Sequence, residues 1–357
     1  MNGGSHPGPR AAALLRSWWQ HQPPGAFAFV MATGIVSGAL QDAGWDIAGT
    51  VLLWVAAAGL VVLSAGLAGR LATRRNHAVA DFSNPHAGFG YLTSVAALNV
   101  VGAGFHPILP AVTWTLGLIS LPLWLFLAYG IPLSMIVRTE RGRGGRSRLL
   151  PVDGTWFLWV VSTQSLAVAA ATLATGSGSI HLLSAAALAF WGIGVMLYLT
   201  LTTLVILHLL TARELHGGIV PANWIFMGAT AITVLAGALI LRLPGNLPVV
   251  ELTAPAVGGV SYLLWAYGLW WTPLLLAYGL CRLILWHVPL KYAGSLWLIV
   301  FPLGMFSVAT FHFGQENRLP LMAQLGLWAD WVAVAAWLLV AAGGAAAGVA
   351  RLRRSGP

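Results

Sequence analysis

The sequence predicts an all-α membrane protein. It should hold ten transmembrane helices paired as five helical hairpins, the odd helices forming an inner pore ring and the even helices an outer ring. Three observations predict it. Hydrophobic residues make up 58% of the 357 residues and charged residues only 8%, against about 25% charged in soluble domains. Ten apolar segments are long enough to cross a hydrocarbon core, which takes ~20 residues. The basic residues then fall on alternate loops. With the N-terminus inside, 16 of the 18 lie on the inner side, leaving Arg242 and Arg318 outside. That is the positive-inside bias. It assigns the net charge of +9 to topology, with anionic lipid as a minor contact, rather than to nucleic acid.

In order, the expected spans are 25–44, 48–69, 87–106, 109–137, 155–175, 180–210, 220–241, 256–280, 293–313 and 320–349. Residues 1–24 form a polar cytoplasmic segment without the early apolar core of a signal peptide. Residues 25–350 form the ten-helix domain, and 351–357 a basic cytoplasmic tail. Both termini are expected in the cytoplasm of a cell that carries the chain as a multi-pass protein of its plasma membrane. Tight turns at 45–47, 107–108 and 176–179 join odd spans to even ones. Odd midpoints recur at roughly 65–70 residues, the rhythm of a two-helix repeat.

The odd spans differ in kind. Hydroxyls three or four residues apart share a helix face: Thr33 and Ser37, Ser162 and Ser165, Thr230 and Thr233, Ser307 and Thr310. The third span offers Ser94 and Asn99. Even spans are richer in Leu, Val and Trp, although the sixth carries Thr200, Thr202 and Thr203. Such hydroxyls can tie helices together. One small polar face on each alternate span also suits five helices converging on a narrow passage.

Charged chemistry inside the spans is sparse. Asp330 is the one carboxylate well within a span, and intramembrane carboxylates are functional candidates. No histidine pair is spaced for a metal, and no paired carboxylates serve acid–base chemistry. Lys291, the one lysine, falls in a loop, and Cys281, the one cysteine, cannot form an internal disulfide. The glycine-rich stretch at 142–147 lacks the Lys-Ser/Thr of a phosphate loop. The expectation is a transporter that is not an enzyme and carries no cofactor or metal. Hydroxyl and backbone donors without carboxylates suit anions rather than cations. In the ninth span Pro302 removes a ladder hydrogen bond to Leu298, and the resulting bend could present Phe301 as a plug that closes a pore by bulk and dewetting.

The stretches "FAFVMATGIVSGAL" at 27–40, "NWIFMGATAITVLAG" at 223–237 and "GSLWLIVFPLGMFSVAT" at 294–310, in a layout covering nearly the whole chain, resemble the tellurite-resistance/C4-dicarboxylate transporter family, which includes the slow-type anion channels of plant guard cells. The resemblance implies odd helices around a pore, a homotrimer, and a phenylalanine gate in the ninth span, in the context matched by Phe301-Pro302. The substrates it implies are small anions, either inorganic or C4-dicarboxylates such as malate. Family members also include proton-coupled dicarboxylate carriers, sulfite exporters and tellurite-resistance proteins. Asp330 is the residue that proton coupling would use. The stretch "ADFSNPHAGFG" at 80–90 resembles the family's segment before the third span, where Asp81 and His86 would order the loop.

Overall fold

Among the described residues of the computed structural model, ten helices are long and apolar enough to span a membrane. We label them α1 (Pro24–Asp42), α2 (Asp46–Thr73), α3 (Gly88–Phe105), α4 (Pro110–Val137), α5 (Gly154–Ala174), α6 (Ile180–His208), α7 (Pro221–Leu241), α8 (Pro248–Cys281), α9 (Gly294–Glu316) and α10 (Pro320–Ala350). The structure describes residues 22–84, 87–141, 152–176, 178–211, 221–284 and 292–354. His86, Lys291, Arg213 and the 142–147 stretch lie outside them. The described residues are helical apart from turns and short connections. This is what lipid demands, because a helix satisfies every interior backbone group within its own segment.

The eighth helix corrects its expected start of 256. It begins at Pro248 and runs through Glu251, Pro255 and Pro273. A glutamate and a proline together read as a boundary, yet each interior proline removes only one backbone donor. The other helices begin within two residues of expectation.

Each odd helix opens with a 3-10 turn: Pro24–Phe27, Gly88–Tyr91, Gly154–Phe157, Pro221–Trp224 and Gly294–Leu296. An aromatic ring occupies the same place each time, three residues after the turn begins: Phe27, Tyr91, Phe157, Trp224 and Trp297. The five turns touch one another in cyclic order, the fifth against the first. Their packing is backbone on backbone: a Cβ on Gly154 would overlap the carbonyl of Ala222.

The odd helices follow the same cycle. α1 packs on α3, α3 on α5, α5 on α7, α7 on α9, and α9 on α1. Each even helix packs on the odd helix before it, and α10 leans back onto α1. Burial separates the two sets. In the most apolar window of each odd helix 67–89% of residues are buried, against 6–33% in the even helices. The even helices therefore meet the surroundings with exposed Leu, Val and Trp side chains.

Between α2 and α3 a short helix, Arg75–Phe82, lies outside the spans. Arg70 fastens it. This buried guanidinium donates to Asp81, to the Gln22 carbonyl at 2.9 Å and to the Tyr91 hydroxyl at 3.4 Å. Asp81 thus orders the segment before α3.

Candidate functional site

A cavity of about 380 Å³ opens at the C-terminal ends of the odd helices and is lined by all five of them. Its register is a repeat. Counting from the first residue of each 3-10 turn, the residue eleven places on is Ile35, Asn99, Ser165, Ile232 or Met305. All five line the cavity. Seven places further lie Asp42, His106, Thr172, Leu239 and His312, which line it as well. Steps of seven residues keep one helix face, about two turns apart. Equivalent faces of the five odd helices therefore look into one space.

One turn back along that face, seven places from the turn, are Met31, Val95, Val161, Gly228 and Phe301. All five are buried, and none is among the cavity-lining residues. The cavity is floored at this level by apolar side chains. Phe301 is 1% exposed. Gly228, its counterpart on α7, leaves room chiefly for Pro302: a Cβ there would sit 2.9 Å from Pro302 Cγ, and 3.4 Å from Phe301 Cε1, an ordinary contact. Pro302 lies within helix on both sides, and its missing N–H leaves the Leu298 carbonyl without its ladder donor.

Of the ten polar residues singled out by spacing, Ser37, Asn99 and Ser165 line the cavity. Their hydrogens go mostly to the protein. Ser37 donates to the Gly49 carbonyl at 2.7 Å, and Ser165 to the Ser162 carbonyl at 2.7 Å. Asn99 donates to Ser165 Oγ at 2.9 Å and accepts from Ser120 at 2.8 Å. The cavity wall beyond them is largely apolar, with Ile35, Val100, Val168, Ile232, Leu235 and Val308.

The other seven are buried away from the cavity. Thr33 Oγ1 accepts from the Trp337 indole at 3.0 Å, and Thr310 Oγ1 from the Trp265 indole at 3.0 Å. Thr233 presents its carbonyl to Trp191 at 3.1 Å and donates its hydroxyl to Ala229. Thr230 donates to the Met227 carbonyl and packs where a Cβ on Gly268 of α8 would be. Ser162 donates to the Trp159 carbonyl, and Ser307 to that of Gly304. Ser94 donates to the Tyr91 carbonyl and faces a separate apolar pocket against α2 and α4. Asp330 in α10 is 1% exposed; neither oxygen accepts a hydrogen bond of good geometry among the described residues, and the Ser307 hydroxyl of α9 is a neighbouring donor.

Four residues near the cavity mouth form a chain that spacing did not reveal. Arg242 Nε donates to Glu316 Oε1 at 2.6 Å, and its Nη2 lies 3.1 Å from His312 Nδ1. His312 Nε2 lies 3.2 Å from Asp42 Oδ2. A guanidinium can only donate, so this arrangement assigns Nδ1 as acceptor and places the hydrogen of a neutral imidazole on Nε2, which lies near Asp42 Oδ2 without completing a hydrogen bond to it. The chain ties α1, α7 and α9 together at the mouth. Its members come from three separate stretches of sequence; the available signals were the four-residue spacing of His312 and Glu316 and Arg242 as one of two cations on the sparsely charged side.

Residues 21–344 match the sequence model of the SLAC1 family, described as voltage-dependent anion channels. Over 143 residues the chain is 38% identical to an uncharacterized membrane protein of Mycobacterium tuberculosis, covering 40% of this chain and 72% of that one. Two uncharacterized transporters of Methanocaldococcus jannaschii are also similar. One is 25% identical over 272 residues, which is 74% of each chain. The other is 26% identical over 219 residues, 60% of this chain and 62% of its own. With the family matched over most of its length, from the first span into the tenth, the chain belongs to the SLAC1 family of voltage-dependent anion channels and transporters, and is not an enzyme.

Proposed function

We propose that this chain passes small anions along the axis enclosed by its odd helices, and that Phe301 closes the path in the conformation described above. Five hairpins with odd helices inside and even helices outside is the arrangement that the cyclic contacts and the burial contrast favour. One observation carries the gate. Phe301 continues the cavity-lining face of α9 one turn beyond Met305, and its ring lies at contact distance from Gly228, the equivalent place on α7. A large apolar ring at that level blocks the path by bulk and keeps it dry.

The candidate cargo is a small inorganic anion or a C4-dicarboxylate such as malate, and a cavity of about 380 Å³ holds either. The setting we propose is a plasma-membrane homotrimer with both termini in the cytoplasm. The cavity then opens outward, and exposed even helices supply the surface between copies.

Reconstitution in liposomes tests the gate. Phe301→Ala is expected to raise anion flux about tenfold or more, the effect of removing roughly 1.4 kcal/mol or more of barrier. Flux unchanged from the original protein rejects it. A second reading, proton-coupled carboxylate uptake, is favoured by the buried Asp330 carboxyl.

A further inference from the structure

Resting on that anion-conducting reading, we propose that the cavity is a binding site for a small anion bearing a carboxylate-like pair of oxygens. Arg242 is its recognition residue, His312 orients Arg242, and Glu316 competes with the anion for it.

The argument begins with charge. Five helices end at this cavity, and helix C-termini carry the negative end of the backbone dipole. Asp42 lines the cavity, and Glu316 stands beside it through its contact with Arg242. The hydroxyls of Ser37 and Ser165 spend their hydrogens on carbonyls. Such a space repels anions unless a cation offsets it. Among the described lining residues Arg242 is the one side chain with a fixed positive charge.

Geometry leaves part of that guanidinium available. Glu316 takes Nε, and His312 takes one hydrogen of Nη2. Nη1 has no hydrogen-bond partner among the described residues, and the side chain is 41% exposed. The free Nη1 and Nη2 hydrogens form a planar fork, which suits a carboxylate better than a spherical ion. His312 holds this orientation by accepting from Nη2, and its Nε2 lies 3.2 Å from Asp42 Oδ2. Glu316 keeps the site from binding too tightly for an anion that must move on.

The sign of two substitutions separates a binding site from a structural latch. If the Arg242–Glu316 pair only fastens α7 to α9, Arg242→Gln and Glu316→Gln act alike. If Arg242 recognises the anion, they act oppositely. Thermal unfolding of the purified full chain in detergent is titrated with sodium succinate, and separately with sodium chloride, at constant ionic strength. Arg242→Gln is expected to weaken succinate stabilisation about tenfold or more in apparent Kd, the scale of a lost charge-assisted hydrogen bond. Glu316→Gln is expected to tighten it. Arg242→Lys, which keeps the charge without the fork, should retain chloride binding and lose the preference for succinate. Shifts of the same sign in Arg242→Gln and Glu316→Gln, or none in either, overturn the proposal.

Flux provides the second arm. In liposomes carrying Phe301→Ala, adding Arg242→Gln should raise the half-saturating succinate concentration and leave maximal flux near its Phe301→Ala value. An unchanged half-saturating concentration overturns the proposal. No flux in Phe301→Ala itself rejects the channel reading, while the unfolding titration still decides the site.

Discussion

At the scale of single residues, Phe301 and Asp330 illustrate opposite uses of burial. Phe301 is buried among apolar groups and needs no partner; its ring lies at contact distance from Gly228 of α7. Asp330 is equally buried, and its oxygens accept no hydrogen bond of good geometry among the described residues, with the Ser307 hydroxyl nearby. Burying a polar group without a hydrogen bond costs roughly 1–3 kcal/mol by mutational measures, and far more for an unpaired charge. Sequence reading flagged both residues because an aromatic–proline step and a lone carboxylate stand out in an apolar chain. Their surroundings were not legible, since Gly228 lies on a different helix. If Asp330 carries a proton with the substrate, Asp330→Asn removes the titrating group and keeps the side chain's shape. Uptake driven by a pH gradient in liposomes is then expected to fall about tenfold or more, with gradient-independent flux kept. Gradient-driven uptake that persists in Asp330→Asn removes the coupled reading.

At the scale of elements, tryptophans on even helices grip the next odd helix around the cycle. Trp124 of α4 donates to Thr163 of α5 at 3.0 Å, and Trp191 of α6 to the Thr233 carbonyl of α7. Trp265 of α8 reaches Thr310 of α9, and Trp337 of α10 reaches Thr33 of α1. This explains why the hydroxyl pattern was legible and its direction was not. Spacing of three or four residues marks a shared face without saying what that face meets. The hydroxyls of Thr33 and Thr310 lie on faces turned to the even helices, while the cavity is met by the face of Ile35 and Met305, only two residues or five away around the helix. In lipid, a hydroxyl finds a partner on a neighbouring helix, and such bonds average about 0.6 kcal/mol. Trp337→Phe and Thr33→Val are each expected to lower resistance to SDS unfolding. Their double-mutant cycle should show a coupling of about 0.6 kcal/mol. Zero coupling would mean that this indole–hydroxyl contact contributes nothing to holding α10 on α1.

At the scale of the whole molecule, the repeat that sequence reading sensed at roughly 65–70 residues has a sharper register than periodicity could give. The 3-10 turns set it, and "PGAF", "GFGY", "GTWF", "PANW" and "GSLW" share little beyond an aromatic fourth residue. Hydropathy counts spans well because burial in lipid dominates composition. It says nothing of rotation about a helix axis, so cavity-facing and helix-facing residues look alike in sequence. Once the turns are superimposed the rotation follows: Val168 and Leu235 stand at equivalent places on the cavity wall, fourteen residues from their turns. Ser162 and Thr230 lie off it, hydrogen-bonded within their own helices. Thiol accessibility tests this rotation on the assembled protein. With Cys281 replaced by alanine, Val168→Cys and Leu235→Cys are expected to react with a water-soluble thiol reagent applied from the side on which the odd helices end. Ser162→Cys and Thr230→Cys should stay unlabelled over the same time. Adding Phe301→Ala should not expose Ser162→Cys, because opening the floor of the cavity leaves the rotation of α5 unchanged. Equal labelling of all four would mean that the odd helices turn different faces to the axis, and with that the placement of both Phe301 and Arg242 on one path would fail.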